Sequence, residues 1–397
     1  MRRILLVLLL LSAVTAVAQK NYYVTSTGSD SNSCSQSSPC ATIDHAGSLT
    51  VAGDTVHVAA GTYNQSVTIP NAGTATNCSL GNTSSCITYI CDVKWSCRIP
   101  PVVTLNQSYV VIKNFDIDGT LSGNVCCGID GSGTTGDQII GNKIHDTSSG
   151  GNATSNCVIC MDAGAVGGGH HIYDGNFIYH NNGGASGSTA NNSGQHGIYS
   201  ELDHDIIQNN IVMDQGGGWC IHSWHKVTDW TVTNNTVLNC PNGGIVLGDD
   251  SSTGVAHNND VITDNIVVNS GSGGGNGGID LRACGTNNVV QNNLMYGNTP
   301  SNYVGSCGGA TLGGTPTGSN STTFVNYTGT ATGDYHLQAS STAIGTGTTT
   351  CAAGVSNCVP TTDFDGNSRN NPWDIGAYVL SAPGALNPPT GLTAKVQ

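Results

Sequence analysis

Charge is what this sequence has least of: Asp, Glu, Lys and Arg make up only 9% of its 397 residues. Positive charge is the scarcer sign, with 11 Lys and Arg against 25 Asp and Glu and a formal charge of -14. That balance excludes nucleic acid as a partner, because a phosphate backbone needs a basic surface. A polyanionic substrate would need cations to bridge it to such a chain. Long amphipathic helical patterns are missing too, which excludes an ordinary helical or α/β enzyme. Beyond the first eighteen residues no apolar run approaches the length of a membrane span.

Those first eighteen residues read as a secretion signal. Arg2 and Arg3 give the positive start, Ile4 to Leu11 the apolar core, and Ala16-Val17-Ala18 the cleavage site, so the mature chain is expected from Gln19. An extracellular or periplasmic destination follows, and 16 cysteines suit its oxidising conditions. Short-range pairs are the natural reading for Cys34/Cys40, Cys78/Cys86, Cys91/Cys97 and Cys351/Cys358. Cys157 and Cys160 form a lone C-x-x-C spacing without the second pair that a zinc site needs.

What fills the chain instead is glycine, 55 residues of it, with Asn, Ser and Thr around short runs of Val and Ile, a composition of many short strands. Tyr22 to Thr25, Asp54 to Val58 and Val67 to Ile69 read as strands, and Ala41 to Leu49 as a short helix after Pro39. The wording YYVTSTGSDSNS…PCATIDHA…AGDTVHVAAGTYNQSVTIP resembles the amino-terminal cap of secreted pectate-lyase-like proteins. The resemblance implies an all-β, right-handed parallel β-helix, a solenoid with a short N-terminal capping helix over its open end.

From residue 109 a repeat becomes explicit. Apolar strands end at Asn114, Asn142, Asn176, Asn210, Asn235, Asn265 and Asn293, at intervals of 25 to 34 residues. Strand and turn signals at that period predict stacked coils, with each Asn at a turn bonding its counterparts above and below. The expected organisation is a signal at 1–18, cap and first coils at 19–108, regular coils at 109–320, and C-terminal coils with a closing motif at 321–380. The stretch TDFDGNSRNNPWDIGAYVL resembles the terminal motif of choice-of-anchor-type β-helix proteins, with Val379 where that motif usually has Glu. Residues 381–397 form a Pro-rich linker whose end resembles the opening of a fibronectin type III module.

A second strand in each coil carries a Gly-Ile phrase. Aligning Ile129, Ile159, Ile198, Ile221, Ile245 and Ile279 as inward residues places Gly131, Met161, Ser200, Ser223, Leu247 and Leu281 inward as well. One outward column is then Asp130, Cys160, Tyr199, His222, Val246 and Asp280; the other is Ser132, Asp162, Glu201, Trp224, Gly248 and Arg282. Rungs about 4.8 Å apart would bring Tyr199, Glu201, His222 and Trp224 together. Asp280 and Arg282 would stand two rungs beyond, across a gap at GGIVLGDD that could seat a sugar.

Such a groove suits a polysaccharide, with Trp224 as stacking platform and Asp130, Asp280 and Arg282 as further substrate contacts. The resemblance implies lyases, hydrolases, epimerases or adhesins alike, and the leading reading is a polysaccharide lyase cleaving an acidic or mixed glycan by β-elimination. His222 would be the base, since imidazole titrates near neutral pH, and Tyr199 the acid. Lys226 is an alternative base, because β-helix lyases often use Lys or Arg. Arg282, or calcium held by Asp162 and Glu201, would neutralise the uronate. A glycoside hydrolase on a neutral glycan would use Asp162 and Glu201 as its carboxylate pair. A carbohydrate-binding or surface protein without catalysis is the third reading. GQHG superficially resembles the GHG of polygalacturonase-like hydrolases, whose acidic motifs are missing in their expected order. His196 reads as a turn residue, Asp249 and Asp250 as turn chemistry, and His170, His171, His204 and His257 as solvated coil junctions. Nothing signals an oligomer, so a monomer is the default.

Overall fold

The computed structural model describes residues 19–122, 127–147, 156–161, 168–181, 195–224, 227–248, 256–307, 309–348, 359–370 and 372–380. The signal-like and Pro-rich ends, Asp162, Lys226, Asp249, Asp250, Cys351 and Cys358 lie outside them. Among the described residues, three parallel sheets of eleven, nine and nine strands are built from the chain between Asn21 and Leu312, and neighbours in each sheet come from successive coils. This is a right-handed parallel β-helix. One coil illustrates the plan: Ile206–Gln208 lies in the first sheet, Ile211–Met213 in the second and Trp219–Ser223 in the third.

Short strands need sharp corners, and the sequence provides them. Between the first two sheets a left-handed residue is required, and Asn114, Gly141, Gly175, Asn209, Asn234, Asp264 and Asn292 occupy that seat with φ of 54–68°. Gly, Asn and Asp tolerate this conformation best. The next residue makes the ladder. Asn176 Oδ1 accepts from the Asn142 backbone N–H at 3.0 Å, Asn210 from Asn176 at 3.0 Å, Asn235 from Asn210 at 2.9 Å, Asn265 from Asn235 at 3.0 Å and Asn293 from Asn265 at 3.0 Å. Asn114 is therefore one seat out of the ladder that its spacing suggested. It takes the left-handed position, and Phe115 fills the slot, donating its N–H to Asn142 Oδ1 at 2.9 Å.

A second internal ladder stands one residue before the first-sheet strands. The N–H of Val110 donates to Asp137 Oδ1 (2.9 Å), that of Asp137 to His171 Nδ1 (3.1 Å) and that of His171 to Asp205 Oδ1 (2.7 Å). Higher up, Trp230 donates to Asp260 (2.9 Å) and Asp260 to Asn288 (2.8 Å). His171 and His257 are thus not solvated; both are fully buried. A ladder seat needs an acceptor side chain, which His171 supplies, while His257 Nε2 bonds Gly248 O at 2.7 Å. His170 and His204 are exposed, as expected, and stack on each other at 4.7 Å.

At the N-terminal end, the helix Ile43–Ser48 starts at Thr42, whose hydroxyl accepts from the His45 N–H, and it buries Ile43 and Ala46 against the first coil. At the other end the chain folds back. Phe324, Tyr335, Leu337, Phe364, Ile375 and Tyr378 cover the outward apolar residues Ile211, Met213, Leu238, Ile266, Val268 and Leu294 of the second sheet. Arg369 anchors this strap, donating to Asn209 Oδ1 at 2.8 Å and Gly376 O at 2.8 Å. Val379 closes the motif through its backbone, whose N–H donates to Asp363 at 3.0 Å. Among the described residues six disulfides join Cys34–Cys40, Cys78–Cys86, Cys91–Cys97, Cys157–Cys160, Cys220–Cys240 and Cys284–Cys307. The C-x-x-C spacing is therefore a disulfide.

Candidate functional site

The third sheet pairs Ile129 with Ile159, Ile198 with Ile159 and Ile221, and Ile245 with Ile221 and Ile279, the register expected from the sequence. Met161, Ser200, Ser223, Leu247 and Leu281 are buried between the outward columns. Alternation fails at one place. Val158 and Cys220 lie in the core beside Ile159 and Ile221, and a Cβ on Gly197 would meet Val212 of the core at 2.5 Å. Two consecutive residues face inward at this corner, so the residue before them turns out. His196 and Trp219 consequently join the outward face, and His196 is not a turn residue.

The outcome is a cluster of five rings. His196 stacks on His222 at 3.8 Å and on Tyr199 at 5.2 Å; Tyr199 stacks on His222 at 4.9 Å. Trp219 lies nearly parallel to His222 at 5.0 Å and 11°, and Trp224 is tilted against His222 at 5.3 Å. His196, Trp219, His222 and Glu201 are buried, whereas Tyr199 and Trp224 are partly open. The Tyr199 hydroxyl donates to Glu201 Oε1. Burial pushes the His196 imidazole down to about 3. It stays neutral, and its Nδ1 faces the Trp219 backbone N–H at 3.3 Å as an acceptor.

The expected gap at GGIVLGDD is filled. A Cβ on Gly243 would lie 2.7 Å from Trp219 Nε1, and one on Gly248 would lie 2.2 Å from Trp224 Cε3. The plain coil carries glycine where two indoles from the coil below lean across it. Beyond them Asp280, almost fully buried, holds Arg282: Nε donates to Oδ2 at 2.9 Å, the backbone N–H to Oδ1 at 3.1 Å, and Nη2 to Oδ2. Arg282 Nη2 also donates to Asn276 Oδ1 at 3.0 Å, and the guanidinium stands 5.2 Å from the Trp219 ring centre.

Tyr199, Glu201, His222 and Trp224 are therefore brought together, and Asp280 with Arg282 joins them through Trp219. Asp130 is not brought in. The Cys157–Cys160 disulfide occupies the coil between it and Tyr199, and its Oδ1 accepts from the Ser132 N–H and hydroxyl at 3.1 and 2.8 Å. Calcium, expected on Asp162 and Glu201, needs six to eight oxygens. With Asp162 outside the described residues, Glu201 offers one carboxylate, already an acceptor for Tyr199. Another candidate metal grouping, Asp118, His145 and Asp146, lies on the second sheet. There Arg98 bonds Asp118 and Lys143 Nζ bonds Asp116 at 2.8 Å, so side chains already supply the cations.

No family model matches the sequence, and no curated protein matches it. Solved structures share the architecture at low identity. The pectate lyase Pel9A is 14% identical over 92% of this chain and 97% of its own, with a TM-score of 0.45. A rhamnogalacturonan lyase is 15% identical over 77% and 90%, at 0.45. The GH136 lacto-N-biosidase from Eubacterium ramulus is 12% identical over 73% and 57%, at 0.42. The chain is similar to these in coil architecture, and its chemistry has to be argued from its own residues.

Proposed function

We propose that this chain is a secreted polysaccharide lyase working on the outward face of the third sheet. The observation that supports it best is the His222–Tyr199–Glu201 arrangement: two proton-carrying side chains 4.9 Å apart, one fixed by a carboxylate. In β-elimination His222 takes the proton alpha to a uronate carboxyl group. The electron pair left behind forms the double bond and expels the glycosidic oxygen, which receives the Tyr199 proton. Glu201 fixes that hydroxyl, and Trp224 offers an open face to a sugar ring.

A binding module is the second reading, favoured by the near-complete burial of His196, Trp219 and His222 in one stack. The deciding experiment follows the ultraviolet absorbance of unsaturated uronates across a glycan panel, with and without EDTA. The lyase reading expects absorbance that falls by roughly 10²–10⁴ in His222→Ala and Tyr199→Phe. Reducing ends without absorbance would establish a hydrolase. Retention on a glycan with no product from any would establish the binding module.

A further inference from the structure

Arg282 looks at first like an anchor for a uronate carboxylate. Its surroundings point elsewhere. Nε and Nη2 are committed to Asp280 and Asn276, and Asp280 is too deeply buried to be exchanged for a ligand. The pair is neutral as a unit, and among the described residues of this face Arg282 is the only Lys or Arg. Trp219 adds the second observation. His222 and the guanidinium engage its ring, yet its enclosed Nε1–H has no hydrogen-bond partner among the described residues. That donor packs against Gly243 beside Asn276, where a Cβ would collide with the indole. A buried N–H without a partner costs about 1–3 kcal/mol, which an oxygen arriving with a ligand would recover. One neutral N–H donor, a half-open neutral Asp–Arg pair and an amide suit a sugar hydroxyl better than a carboxylate.

We infer that Trp219, Asn276, Asp280 and Arg282 form a subsite for an uncharged sugar, so that the substrate is a glycan in which a neutral unit neighbours the uronate. This rests on the lyase reading for the uronate half alone. The formal charge of -14 agrees, since it disfavours a polymer charged at every unit.

The test is affinity electrophoresis, which reads binding whether or not product forms. The probes are polygalacturonate, charged at every sugar, and rhamnogalacturonan and hyaluronan, each alternating a uronate with a neutral sugar. At least one alternating polymer should bind about tenfold more tightly than polygalacturonate. Trp219→Phe, which keeps an aromatic ring and removes the N–H, should lose about tenfold on that polymer alone, the worth of one hydrogen bond. Asp280→Asn should raise the affinity for polygalacturonate by freeing the guanidinium charge. If that variant does not fold, Arg282→Gln serves instead: it should weaken polygalacturonate no more than the alternating polymer. Preference of the wild type for polygalacturonate, selective loss of polygalacturonate in Arg282→Gln, or an unchanged Trp219→Phe would each overturn the subsite. Unsaturated product with polygalacturonate preferred would sink the subsite and leave the lyase standing; the alternating preference without product would do the reverse.

Discussion

The second and third sheets are built alike and used differently. Both bury Ile, Val and small residues inward; the second sheet points two side chains per coil outward, and the third points three in the coils of Tyr199 and His222. On the second sheet those outward residues are Ile211, Met213, Leu238, Ile266, Val268 and Leu294, and the chain's own C-terminal segment covers them. On the third they are His196, Tyr199, Glu201, Trp219, His222 and Trp224, a mixture of rings and polar groups with Tyr199 and Trp224 partly open. These outward positions decide whether a face docks the chain itself or is left to something else.

Breaking the docked face should have the largest effect. Phe324→Ala removes a fully buried ring from the cluster that covers the second sheet and should cost about 3–5 kcal/mol, read as a lower denaturation midpoint, with glycan affinity unchanged. An unchanged midpoint would show that the strap is decoration. Asn235→Ala tests what the two faces share. It removes the acceptor of the Asn210 N–H and the donor to Ile207 O, at about 1–3 kcal/mol for each buried group left unpaired. Trp224→Ala sharpens the contrast from the other side. It should weaken glycan binding by about 0.5–1.5 kcal/mol of stacking, seen in titration calorimetry, while the midpoint moves little.

The smallest effect concerns pH and the ladder beneath the open face. Burial pushes the Asp205 carboxyl up to about 8 and Asp137 up to about 7. Between the ordinary carboxyl value and these, the unfolded chain has released a proton that the folded one keeps, so both groups lose stability as pH rises. His171, pushed down to about 4 by burial, acts oppositely and loses stability as pH falls below its ordinary value of 6.5. From about pH 4 to 6.5 His171 offsets one of the two acids; above that, of these three groups, only the acids remain. The midpoint should therefore fall between pH 6.5 and 8, and Asp205→Asn should flatten the fall. A midpoint that rises over that window would refute the assignment.

Much of this was legible in the sequence. The period of the Asn strands gave the coils, and the six isoleucines gave the register of the third sheet without error. The inward pair at the corner was missed because strict alternation allows no two neighbours to face the same way. Its signal was present in the residues before those isoleucines, Gly128, Val158, Gly197, Cys220, Gly244 and Gly278, all small or apolar. Reading that column as inward would have turned His196 and Trp219 out and filled the gap. Asn114 misled because a left-handed seat and a ladder seat both favour Asn. The strap's course was not legible, since Arg369 meets Asn209 160 residues away and no periodicity links them.

That strap changes how the molecule must come apart. In a bare solenoid each coil touches only its neighbours, and fraying can proceed one coil at a time from an end. Here the C-terminal segment is tied to four successive turns: Thr362 and Arg369 to Asn209, Asp374 to Asn234, Thr348 and Gly376 to Asp264, and Thr348 to Asn292. No one of those coils can peel away without releasing the lacing that holds the others. The upper half should melt as a single cooperative unit, and the coil of Lys94 and Trp95 is held to it by the Phe364 ring of the strap, 6.2 Å from Trp95.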